Sequence, residues 1–155
     1  MNPKIDLDFV LLNDKNEYPY ELLLLADETE EAIAKYIHNS KVYVAKNNGN
    51  IIAVFCLYEL DENTVELKNI AVSESFQNKG IGSRLISFIK ELVKVTYSKL
   101  IVGTADSGID QIRFYEQNGF KKFGLRKNFF IENYKLPIIE NGIQLKDMIL
   151  LSYDL

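Results

Sequence analysis

The pattern of this 155-residue chain predicts a mixed α/β fold, a mostly antiparallel central sheet with helices on both faces. Three observations carry that expectation. Apolar runs of strand length alternate with stretches whose apolar residues recur at helical period. Asn47-Asn48-Gly49-Asn50 sits between two strand-like runs, a strong hairpin signal. The second half then alternates helix and strand. A doubly wound dinucleotide fold would need repeated strand–helix–strand units. The hairpin-rich first half and the absence of a full GxGxxG argue against it.

Each element has its own warrant. Asp8 to Leu12 reads as a first strand. Tyr18 to Ala26 reads as a short helix with Pro19 in its first turn, where the missing N–H costs nothing. Asp27-Glu28-Thr29-Glu30 opens a second helix: Asp27 can cap it, and the acids suit the positive end of its dipole. Val42 to Ala45 and Ile51 to Tyr58 flank the hairpin turn. Asp61-Glu62-Asn63 turns the chain into a strand over Val65 to Val72. A long helix follows, with Ile81, Leu85, Ile86, Ile89, Leu92 and Val93 on one face. Leu100-Ile101-Val102 is a short buried strand. Ser107-Gly108-Ile109-Asp110 resembles a capping box for the next helix, which ends at Gly119. Phe120 to Leu125 is a strand, 127–142 a less regular insertion, and Gln144 to Tyr153 a closing strand.

Composition narrows the class. With 47% hydrophobic and 12% aromatic residues the chain is globular, and its length suits one domain over 1–155. Cys56 is the only cysteine and lies in the apolar run Val54 to Leu57, which reads as core. His38 is the only histidine, so multi-histidine metal sites are excluded and no metal is expected. No apolar run reaches bilayer length and no secretory signal is evident, so a cytoplasmic protein is expected. Residues 1–66 hold 13 acids and 5 bases, net −8; residues 67–155 hold 9 acids and 13 bases, net +4. No basic cluster interleaved with aromatics points to nucleic acid.

The chemistry begins at Gln77-Asn78-Lys79-Gly80-Ile81-Gly82. A strand, a turn with two glycines and a helix N-terminus form an anion site, because unpaired N–H groups and the positive dipole end converge there. Gly80 and Gly82 allow close approach to the backbone, and Lys79 and Arg84 add positive charge. An ordinary glycine turn would look the same. A second motif, Phe114-Tyr115-Glu116-Gln117-Asn118-Gly119-Phe120, follows some forty residues on. The pair, Gln-x-x-Gly-x-Gly after Asn69-Ile70-Ala71-Val72 and then Phe-Tyr-Glu-x-x-Gly-Phe, resembles the GCN5-related N-acetyltransferases (GNAT family). The likeness is carried by residues 65–126. The chain as a whole looks like a small bacterial subgroup often labelled IAA (indole-acetic acid) acetyltransferases.

The resemblance implies acetyl transfer from acetyl-CoA to a primary amine by direct attack through a tetrahedral intermediate. It implies a splayed strand pair that admits the cofactor. The pantetheine arm would meet the backbone of Ile70, Ala71 and Val72. The pyrophosphate would meet Gln77, Asn78, Lys79, Gly80, Ile81, Gly82 and Ser83. A backbone N–H near Ile70–Val72 would receive the oxyanion. Tyr115 matches the tyrosine that serves many members as general acid toward the thiolate; packing against Ile112 is the other account of it. Where some relatives carry a Glu base, this chain has Gly103. Gly108 and Gln111 replace a usual Asn and Ala. Glu66, on the motif strand, is the remaining candidate base, beside a water chain or an amine arriving deprotonated.

The apolar segment 127–142 reads equally as acceptor-pocket wall, core cover or homodimer contact. An acceptor amine with apolar or aromatic bulk is expected. Two other functions stay open at this point: a protein N-terminal acetyltransferase of the ribosomal-protein type, and a non-catalytic acyl-CoA-binding regulatory module.

Overall fold

A computed structural model describes residues 4–155; the first three residues, part of the stretch read as lacking a secretory signal, lie outside the described residues. The chain forms two compact units, Met1–Glu59 with Leu67–Phe88, and Leu60–Glu66 with Ile89–Leu155. Seven strands follow the hydrogen-bonded order β1 (Asp8–Leu12), β2 (Ser40–Asn47), β3 (Asn50–Glu59), β4 (Thr64–Val72), β5 (Lys99–Ala105), β9 (Met148–Asp154) and β6 (Lys121–Arg126), and β4 belongs to both units. The fold is mixed α/β with a mostly antiparallel sheet.

In the first unit, β1 (Asp8–Leu12), β2 (Ser40–Asn47) and β3 (Asn50–Glu59) pair antiparallel, from Asp8↔Lys46 and Ser40↔Tyr58. Asn48 and Gly49 both take positive φ, 51° and 82°. That two-residue turn matches the strand twist, which is why Asn-Gly marks it. Two short helices, α1 (Tyr20–Ala26) and α2 (Glu30–Ala34), contribute Leu23 and Ile33 to a core with Ile37, Val44, Val54 and Cys56. Cys56 is fully buried, and burial pushes its thiol up to about 12. The cap of α2 is Thr29, not Asp27: Thr29 Oγ1 accepts from Ala32 N at 3.1 Å. Asp27 instead accepts from Glu28 N and from the Tyr36 hydroxyl. Asn69 ties β4 to α1 by donating to Leu23 O at 3.0 Å and to Tyr36 Oη at 3.1 Å.

In the second unit, β9 (Met148–Asp154) runs antiparallel between β5 (Lys99–Ala105) and β6 (Lys121–Arg126). The long helix α3 (Ile81–Val93) starts in the first unit and ends in this one. Helix α4 (Ile109–Gln117) stops at Asn118, whose side chain donates back to Phe114 O, and Gly119 follows with φ 92°. Lys90 donates to the Asn118 carbonyl and lies 3.8 Å from the centre of the Tyr153 ring. A cation there meets the negative end of α4.

Three sequence expectations shift here. The cap of α4 is Gly108, without a side-chain bond, and the buried Ser107 hydroxyl has no partner among the described residues. Segment 127–142 is more regular than expected: α5 (Phe129–Asn133) is followed by a hairpin of β7 (Ile139–Glu140) and β8 (Ile143–Gln144). Asn141 and Gly142 both take positive φ, repeating the first hairpin's turn. Gln144 pairs with Ile139, so it belongs to that hairpin and the closing strand begins only at Met148.

Candidate active site

In the first unit, the residues expected to hold phosphate form an open turn. β4 ends at Val72, a short 3-10 turn spans Glu74–Phe76, and α3 begins at Ile81. The Gln77 side chain donates to Val72 O at 2.9 Å and pins the turn to the strand end. Asn78 and Gly80 adopt positive φ, 61° and 77°, and a Cβ built on Gly80 would meet nothing within 4 Å. Residues 77–80 are exposed. The first N–H groups of a helix have no acceptor inside it, so those of Ile81, Gly82 and Ser83 start α3 beside this open turn. Such a site suits a phosphate. Lys79 lies 5.6 Å from the Phe76 ring centre, at the turn, while Arg84 is drawn to the Ile5 carbonyl at 2.5 Å. Ala71 is buried and Ile70 and Val72 are half-buried, so this stretch of β4 presents little side chain to water.

The second unit supplies side chains. Tyr115 lies on the inner face of α4, 8% exposed, its ring edge-on to Phe120 at 5.5 Å and to Phe114 at 5.2 Å. Burial raises its pKa above the ordinary tyrosine value of 10.0. No described residue hydrogen-bonds its hydroxyl. The phenol therefore stays protonated through neutral pH and well beyond.

Glu66 shows what sequence reasoning missed. It is 2% exposed, and both of its carboxylate oxygens accept from Arg126, Oε1 from Nη2 at 2.7 Å and Oε2 from Nη1 at 2.9 Å. Hydrogen bonding to Glu66 raises the Arg126 pKa further and outweighs its desolvation, so the guanidinium is charged at any working pH. Sixty residues separate the partners, and no local signal joins them. Gly103, where some relatives carry a Glu, also has a physical account. A Cβ there would stand 2.3 Å from Met148 Sδ, so the thioether already fills that place.

Comparisons with known proteins give the family. A family model for the acetyltransferase (GNAT) domain matches residues 38–122, which include the turn and α4. A GNAT family acetyltransferase from Elizabethkingia anophelis, solved with acetyl-CoA bound, is 43% identical with a TM-score of 0.93; the match covers 98% of this chain and all of that one. An IAA acetyltransferase from Bacillus cereus is 40% identical with a TM-score of 0.88, over 97% of this chain and all of that one. The N-acetyltransferase YvbK of Bacillus subtilis, itself uncharacterized, is 36% identical over 92% of both chains. With 85 of 155 residues inside the family match, these relatives and the cradle before α3, the chain belongs to the GNAT family and is an acetyl-CoA-dependent N-acetyltransferase.

Proposed function

We propose that residues 1–155 form one acetyltransferase domain that acetylates a primary amine carrying apolar or aromatic bulk. The observation that carries this reading is the buried, protonated Tyr115, whose ring is wedged between Phe114 and Phe120 and whose hydroxyl no other described residue engages. The backbone of Ile70–Val72 would align the acyl arm of acetyl-CoA, and Gln77–Ser83 would hold its pyrophosphate. A main-chain N–H near Ile70–Val72 would receive the negative charge that develops as the neutral amine attacks the thioester carbonyl. The carbon–sulfur bond then breaks, and Tyr115 gives its proton to the departing thiolate. In this reading the ammonium proton leaves to water. Glu66 could serve as base only through the lone pairs its two oxygens keep beyond those given to Arg126, on a carboxylate that is 2% exposed.

Apolar bulk in the acceptor is supported by α5 and the hairpin after it. Phe130 and Tyr134 stack at 5.9 Å and Phe129 stands edge-on to Phe130. Leu136, Ile139 and Ile143 remain exposed. A peptide N-terminus is the second reading, since the same apolar wall would accept a first side chain.

The test is release of free thiol from acetyl-CoA against aryl-alkyl amines, polyamines, aminoglycosides and short peptides. Turnover of the aryl-alkyl amines is expected to lead. Turnover confined to aminoglycosides would overturn the apolar acceptor, and turnover confined to peptides would replace it with N-terminal acetylation.

A further inference from the structure

The Arg126–Glu66 pair spans an unusual distance. Arg126 ends β6 and Glu66 lies near the start of β4, with β9 and β5 between them. Three strand spacings are about 14 Å, close to the reach of an extended Arg meeting an extended Glu. The route is kept clear. Arg126 stands opposite Met148 in register, so the two side chains share a face. Gly103 has no side chain to block the way, and Met148 lies over it, its sulfur 3.5 Å from Arg126 Nη1. Tyr153, five residues along β9 from Met148, points to the other face, with Phe120 and Tyr115.

A buried carboxylate holding a long cation across four strands is costly unless the cation has a use, since a packed apolar pair would often be as stable. The geometry leaves one. Glu66 takes one N–H from Nη1 and one from Nη2, the end of the guanidinium. Nε–H and the outer N–H of Nη2 lie parallel on its side, the fork that receives a carboxylate. No described residue accepts from that fork. The Arg126 side chain is 29% exposed while Glu66 is 2% exposed, so the carboxylate is sealed while part of the arginine side chain still meets water. Immediately beyond Arg126 the chain turns at Asn128, whose φ is 57° and whose N–H donates to Asp147 Oδ1 at 2.8 Å. That turn launches α5 with Phe129 and Phe130, so an anion fork and an apolar wall lie within one short segment.

We propose that Arg126 binds a carboxylate of the acceptor, with Glu66 as its positioning residue, so that the acceptor is an α-amino acid with an apolar side chain. This rests on the acyl-transfer reading above and names its substrate class. The entering amine and the departing thiolate would then be served from different faces of the sheet.

The test compares phenylalanine with phenylalaninamide, and leucine with leucinamide, in the full-length enzyme. The amide removes the carboxylate but also lowers the amine's basicity. That second effect is the same for every enzyme variant and cancels when ratios are compared. The expected wild-type preference in kcat/KM is for the free acid, and Arg126→Gln should shrink the acid-to-amide ratio by roughly 10- to 100-fold. Arg126→Lys keeps a cation beside Glu66 but loses the fork, and should shrink the ratio by a smaller factor. It covers the case in which Arg126→Gln fails to fold. Glu66→Gln should raise the KM for the acid more than it lowers kcat. Should no amine of either kind release thiol, the same pairs are titrated calorimetrically against the CoA complex, and tighter binding of the acid that Arg126→Lys weakens still supports the subsite. Equal use or equal binding of acid and amide by the wild type overturns the carboxylate subsite and leaves amine acetylation standing. A loss in Glu66→Gln confined to kcat, with the acidic limb of the rate profile gone, overturns the positioning role in favour of a base.

Discussion

In the function proposed above, the two units would contribute different material. In the first, the proposed anion cradle is backbone: a strand end, a turn with Asn78 and Gly80 at positive φ, and the opening N–H groups of α3. In the second, the proposed working groups are side chains, Tyr115 on α4 and Arg126 anchored by Glu66. A backbone site depends on main-chain course and on the absence of side chains. A side-chain site depends on one or two atoms, each held by packing. The first kind should fail in binding and the second in turnover or selectivity.

The largest expected effect falls on the cradle. In Gly82→Val a branched side chain would stand where a phosphate must approach the amides. Acetyl-CoA affinity should drop by roughly a hundredfold or more, equivalent to about 2.7 kcal/mol, while circular dichroism shows a folded chain. Calorimetry would check it, and unchanged affinity in a folded variant would remove the turn from the cofactor site. Tyr115→Phe tests the other kind. It keeps the ring between Phe114 and Phe120 and deletes only the hydroxyl. Turnover should fall by about a hundredfold, the acetyl-CoA dissociation constant should move far less, and stability should change by about 1 kcal/mol or less. Near wild-type turnover, or a turnover loss matched by a large drop in melting temperature, would return Tyr115 to the core.

The same contrast explains what could be read from the sequence. The strand–turn–helix at 64–93 was legible because its parts are contiguous: strand, Gln77, two glycines and a helix face within 30 residues. The Asn48-Gly49 hairpin was legible for the same reason, a local rule about positive φ. The Arg126–Glu66 pair was not, since its partners stand sixty positions apart, with the bare Gly103 and the Met148 thioether between them. Gly103 read as a missing base, and only the packing shows what its lack of a side chain admits. Segment 127–142 was unclear because five-residue α5 and the two-residue strands β7 and β8 are too short to show a period. Asp27 and Thr29 both suit a helix cap, and two residues of register decided between them.

Alkaline pH sharpens the comparison with the smallest effect. Burial raises the proton affinity of Cys56 in the first unit and of Tyr115 in the second, but from different starting points. The Cys56 thiol moves from 9.0 to about 12. The unfolded chain loses that proton near pH 9 while the folded chain keeps it. The contribution is therefore fully present below pH 9 and is lost as pH rises toward 12, by at most about 1.4 kcal/mol per pH unit. Tyr115 starts at 10.0 and is raised from there, so its hydroxyl is still protonated in the folded enzyme at pH 10. Between pH 9 and 10 denaturant-measured stability should begin to fall, while turnover per folded molecule shows no loss from the acid. Cys56→Val, close in volume and without a proton to lose, should flatten the stability slope and leave the rate profile in place. If the variant keeps the wild-type slope, the thiol is not its source. If turnover already collapses below pH 10, the acid is not a tyrosine packed between two phenylalanines.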